Sequence, residues 1–191
     1  MGGYSVISDI GNAIIQLLRQ HMVPDIILNA DAINLSSPQD KGDFTLCVYL
    51  YDVRESEEIR TNGFMTSGLN QQKYPPSYLS LYYMITAYSK SDVKFKAAEE
   101  HRILGRAVQI LKDNPVLQSD TLEFVDGKSA NGETIKIEMI NMDTAEKIKL
   151  WNFPNTAYKL SMFYKVTPVA LESNKVRKVT RVTDINLTIQ E

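Results

Sequence analysis

The stretch FTLCVYLYDV at 44–53 constrains the fold of this chain more than any other. Read as a strand, it puts Phe44, Leu46, Val48 and Leu50 on one face. Cys47, Tyr49, Tyr51 and Val53 make the opposite face mostly apolar as well. A strand with one wet face alternates apolar and polar residues, so one that is apolar on both faces belongs inside a sheet covered on both sides. A second run, SYLSLYYMITAYS at 77–89, supplies a neighbour. Leu79, Leu81, Tyr83, Ile85 and Ala87 share one of its faces, and Tyr78, Ser80, Tyr82, Met84, Thr86 and Tyr88 share the other.

Cover for such a sheet comes from helical spacing elsewhere. Val6, Ile7, Ile10, Ile14, Leu17 and Leu18 predict a helix over 5–22, with Ser5 as its cap and Pro24 beyond its end. A second helix is predicted over 94–112, with Ala97, His101, Leu104, Val108 and Leu111 on one stripe, Ala107 on its flank and a stop at Asp113-Asn114-Pro115. Gly105 weakens that helix by roughly 1 kcal/mol relative to Ala, which a close crossing would explain. DTAEKIKLWNF, 143–153, reads as a short helix capped by Asp143.

The remaining elements are extended. Ile33 and Leu35 alternate with polar neighbours in DIILNADAINLSS. TLEFVDGKSANGETIKIEMINM, 121–142, reads as two strands around a turn-rich tip, with YKLSMFYKVTPVAL and RVTDINLTIQE closing the chain. Residues 54–76 lose all periodicity, and so long a loop in a compact domain is either functional or flexible. The order α-β-β-β-α-β-β-α-β-β predicts an α+β single domain: a mixed, mostly antiparallel β-sheet packed by about three α-helices. The domain is expected to span 1–172, with the basic segment and strand at 173–191 belonging to it.

Composition excludes several functions. A net charge of −2 argues against a nucleic-acid partner. The single Cys47 excludes an internal disulfide and a thiolate-rich zinc site. The first residues lack a basic start and are interrupted by Asp9, so no secretory signal is expected, and no stretch reaches the ~18 apolar residues of a membrane span. A chain made in a reducing cytoplasm, with neither membrane nor cofactor, is the expectation.

Glu99-Glu100-His101 invites a catalytic or metal-site reading. Adjacent residues on a helix do not face one another, however, so the three cannot converge there. His101 is read as a packed or interface residue; a small hydrolase or ligand-binding domain using it is the alternative from another class. No GxSxG, HExxH, P-loop or GxGxxG motif occurs. His21 ends the first helix, where it suits the helix dipole, and Cys47 sits mid-strand as a buried structural thiol. The chain is not expected to be an enzyme.

Two features suit an interface. Tyr82 and Tyr88 lie on the more polar face of the second strand, and tyrosine is enriched where proteins meet. The alternative is a face covered by the chain's own elements. Lys175, Arg177 and Arg181 alternate along a late segment, fit either to dock on an acidic partner or to protect an edge strand by charge.

Three ordered stretches carry a family likeness: YPPSYLSLYYMITAYS at 74–89, AAEEHRILGRAVQILKDNPVL at 97–117 and LWNFPNTAYKLSMFYKVTPVAL at 150–171. Together they resemble the tail-terminator, or cap, family of contractile injection systems, in its N-terminal domain. The likeness runs from about residue 4 to 172, and many members carry a further C-terminal region. It implies a ring, usually of six copies, seated on the distal end of the inner tube and sheath, which ends polymerisation and joins their last layers. The particle would assemble in the bacterial cytoplasm and could be released from the cell. The family has no catalytic residues or cofactor to carry over. Another ring of the same particle, a baseplate or tube-initiating adaptor, is the nearest alternative.

Overall fold

The computed structural model describes residues 3–59, 63–66, 71–117 and 134–178. In chain order it contains α1 (Val6–Met22), a 3-10 turn (Ala30–Ala32), β1 (Ile33–Leu35), β2 (Leu46–Glu55), β3 (Met65–Thr66), β4 (Gln71–Lys73) and β5 (Ser77–Ala87). It continues with α2 (Val93–Asp113), β6 (Lys136–Met139), α3 (Thr144–Leu150), β7 (Ser161–Leu171) and β8 (Val176–Lys178). Residues 181–191, the tip at 118–133 and the first strand expected there lie outside the described residues.

The main sheet has the order β1-β2-β5-β7-β6. Its β1–β2 pair is parallel and its other pairs are antiparallel, as the α+β expectation required. The long runs read as central do lie inside it. On one face α1 and α2 close the core, with Ile10, Ile14 and Leu18 of α1 fully buried one turn apart along its stripe. Each such side chain contributes roughly 1.5–3 kcal/mol through burial. On the other face Met84 and Phe163 meet Trp151, with Tyr49, Tyr51 and Phe153 packed around them. That cover comes from the chain beside α3, because α3 itself buries no residue.

Several local expectations are corrected. The buried stripe of α2 is Ile103, Leu104, Ala107, Ile110 and Leu111, and His101 is exposed. Both stripes contain Leu104 and Leu111. The helix is rotated toward the one with two isoleucines because it buries more apolar area. Gly105 faces open space, whereas a Cβ on Gly11 would stand 3.0 Å from Leu35 Cδ1. The close crossing is therefore at α1 over β1. Ser5 makes no capping bond to the backbone; its hydroxyl donates to Asp9 Oδ2 at 2.8 Å.

Two bulges re-aim the sheet. In β2 the register shifts between Leu50 and Asp52, so Val53 pairs with Leu81 and lies on the helix side, not beside Cys47 and Tyr49. In β7 the shift falls at Thr167-Pro168 opposite Ser80, a position that tolerates a residue without an N–H. There the Thr167 hydroxyl lies 3.0 Å from that of Ser80 and 3.5 Å from that of Ser56, all three buried. At the opposite edge Arg19 donates from Nε and Nη2 to the Ile33 carbonyl at 3.1 and 2.8 Å, covering an acceptor that β1 leaves open.

Candidate functional site

The described parts of the two segments singled out from the sequence, 54–76 and 175–181, meet in space. β3, β4 and β8 form a second, antiparallel sheet with β4 in the centre. Gln72 pairs with Arg177 and Lys73 with Val176, and the Tyr74 N–H donates to the Lys175 carbonyl at 3.2 Å. Side chains tie the strands further. Phe64 and Tyr74 pack edge to face with centroids 5.0 Å apart. Lys175 holds its ammonium 4.8 Å from the Tyr74 centroid, and the Arg177 guanidinium lies 5.4 Å from that of Phe64. Lys73 bridges to Glu172 at 2.6 Å.

So Lys175 and Arg177 are exposed, yet each is seated on an aromatic face of the loop. Periodicity does not point to Phe64 and Tyr74; the signal for them in the sequence is an aromatic pair in an otherwise polar loop. A cavity of about 160 Å³ opens beside them, lined in part by Met65, Tyr74, Pro76 and Glu172. Arg181 lies outside the described residues.

The two tyrosines differ. Tyr82 is half-buried, its ring 6.1 Å from that of Tyr51 and 4.9 Å from the Arg54 guanidinium. Tyr88 is only 7% exposed, with Lys41 at 5.1 Å and Lys159 at 5.5 Å from its centroid. Its hydroxyl has no hydrogen-bond partner among the described residues, and burial pushes its pKa far upward. Of the two, Tyr82 presents the larger surface.

Glu99 and Glu100 serve the connection between β5 and α2. Glu99 accepts from the Ser89 and Ser91 hydroxyls, which hold its carboxyl below the usual carboxylate range. Glu100 accepts from the Ser89 N–H at 3.2 Å and from the Lys159 ammonium. Beside this connection runs an open groove of about 810 Å³ with Ile27, Leu28 and Phe44 among its lining residues. His101 lines neither cavity. Among the described residues no group of three or more His, Cys, Asp and Glu is placed to hold a metal. Nor does any helix there have the length and apolarity to cross a membrane. Cys47 is buried, and the loss of hydration raises its thiol to about 11.

The described surface is thus one of sheet edges, stacked cations and exposed apolar side chains, which suits an assembly component. The fold is shared with proteins that end the tubes of contractile particles. One solved relative is the sheath/tube terminator of an extracellular contractile injection system (PVC) in its extended state, at TM-score 0.66 and 18% identity, covering 97% of this chain and 63% of that one. Another is the tube-terminating cap of the anti-feeding prophage, at TM-score 0.57 and 19% identity, covering 95% of this chain and 61% of that one. The family model described as the Pvc16 N-terminal domain matches residues 9–184, and the chain belongs to that family. No curated protein matches it. The chain spans under two thirds of the length of those solved relatives.

Proposed function

We propose that this chain is the cap of a contractile injection system, a ring on the distal end of the inner tube and sheath that stops their polymerisation. The match to the Pvc16 N-terminal domain over residues 9–184 carries the reading. The shared fold of two tube terminators supports it. Its partners are further copies of itself, in a ring of six, together with the inner-tube and sheath proteins. It acts by geometry and needs neither catalysis nor cofactor. Synthesis in the bacterial cytoplasm precedes incorporation into the particle.

A terminator needs one face that imitates the next tube layer and a second that adds nothing further. The small sheet of β3, β4 and β8, which carries Lys175 and Arg177, is the surface we assign to the sheath, where an extended arm can add to its edge, and Arg181, three residues after β8 in the sequence, is assigned with them. Tyr82 is assigned to contact within the particle.

Particles assembled without this chain test the function. Tubes that are over-long or ragged at one end support capping, and particles of normal length sink it. Gold-labelled chain at the baseplate end would assign it to an adaptor ring instead. Reversing the charges of Lys175, Arg177 and Arg181 together tests the sheath surface, and unchanged capping would remove it.

A further inference from the structure

The first turns of α2 project beyond the body of the protein. From Val93 to Ala98 every residue is exposed, and burial along the helix begins only at Glu99. Val93 is 91% exposed and Phe95 66%, the latter flanked by Lys94 and Lys96. Neither lysine takes part in an ion pair among the described residues. A phenylalanine carried into water between two cations, on a helix otherwise packed by its apolar stripe, has the form of half a contact.

The other half lies at the opposite end of β2. The bulge at Tyr51 turns Val53 to the helix side, where it is 40% exposed. Pairing continues past it, Glu55 against Leu79 and the Ser56 N–H to the Tyr78 carbonyl at 2.7 Å. Successive side chains alternate along the strand, so Glu55 shares the face of Val53; Ser56 is buried, and the exposed Glu57 follows in the bend just beyond the end of β2. Among the described residues two neighbouring ion pairs form here: Arg54 with Asp52 at 2.6 Å and Lys165 with Glu58 at 2.7 Å. Glu55 and Glu57 belong to none of the ion pairs of the described residues. Among the described residues, one end thus presents an apolar side chain with two cations outside any ion pair, and the other an apolar side chain with two anions outside any ion pair.

These ends are far apart. The helix follows Ala87 of β5, which pairs with Leu46 at the start of β2, whereas Glu55 closes β2. The strand between them spans about 30 Å. A single copy cannot join its own two ends, but two copies related by a rotation can, head to tail.

We propose that the helical projection Val93–Lys96 of one copy docks on the end of β2 of the next, at Val53 and Glu55 with Glu57 in the bend beyond, and that this is the contact between neighbours in the ring. A heterologous contact of this kind closes when its rotation closes. The inference rests on the cap reading for its ring, but the contact itself is tested without tube or sheath.

The experiment is a charge swap read by size-exclusion chromatography with light scattering. Lys94→Glu with Lys96→Glu forms one variant, and Glu55→Lys with Glu57→Lys the other. All four positions are exposed, and a thermal melt of each variant confirms that it folds. The wild-type chain is expected to run as a closed oligomer and each variant alone as a monomer. An equimolar mixture of the two variants should regain the oligomer, since every contact in a mixed ring is again complementary. Phe95→Asp should abolish assembly in either background. Variants that assemble like wild type overturn the contact, as do a mixture that stays monomeric and a wild-type chain monomeric at every concentration. Particle length in the deletion decides the cap reading separately.

Discussion

The Lys175 ammonium stands 4.8 Å from the centre of the Tyr74 ring, a stacking that joins two segments a hundred residues apart in the chain into one surface. With Arg177 over Phe64 it holds β8 against β4 through side chains as well as backbone.

At such exposed sites each cation–ring contact is worth about 0.5–1 kcal/mol. Lys175→Ala with Arg177→Ala should leave global stability almost unchanged while loosening β8. Hydrogen exchange would show faster amide exchange in β4 and β8 and an unchanged β5. Lys175→Arg should keep the protection.

The Thr167 hydroxyl, 3.0 Å from that of Ser80 in the bulge of β7, should matter more than its size suggests. Thr167→Val keeps the shape and leaves a buried hydroxyl unpaired, at a cost of about 1–3 kcal/mol. Urea unfolding should place Thr167→Ser close to wild type and Thr167→Val below it.

Gly105 and Gly11 should respond differently to alanine. A Cβ at Gly105 meets nothing within 4 Å, so Gly105→Ala should gain close to the full helix propensity of about 1 kcal/mol, raising Tm by roughly 2–4 °C. At Gly11 the same methyl stands 3.0 Å from Leu35 Cδ1 and 3.6 Å from the Tyr83 hydroxyl. Gly11→Ala should gain less, and a bulkier Gly11→Val should lower Tm.

Burial makes the fold alkali-sensitive. It raises the Cys47 thiol from 9.0 to about 11 and the Tyr164 hydroxyl from 10.0 to about 12. Between those values the unfolded chain has lost protons that the native chain keeps, so stability falls as pH rises. Equilibrium unfolding should show the decline beginning near pH 9, and Cys47→Ala should remove its earliest part. At pH 8 a thiol reagent should modify Cys47 only after denaturant is added.

The sequence by itself determined the parts that depend on local periodicity. The apolar alternation from Leu46 to Leu50 and from Leu79 to Ala87, and the helical spacing of Ile10, Ile14 and Leu18, name the central strands and the first helix. Three ordered stretches carried the family. Tertiary packing decided what periodicity leaves degenerate. Two overlapping stripes on α2 were available, and the body of the protein buried the one with Ile103 and Ile110, which exposed His101 and left Phe95 projecting. A bulge of one residue at Tyr51, invisible in the alternation, sent Val53 to the helix side. The meeting of Lys175 with Tyr74 depends on where two distant segments are carried, and no spacing within either encodes it. Side-chain period is a property of one segment. Which face is buried, and which distant charges end up opposed or unpaired, is set by the whole molecule minimising its exposed apolar area.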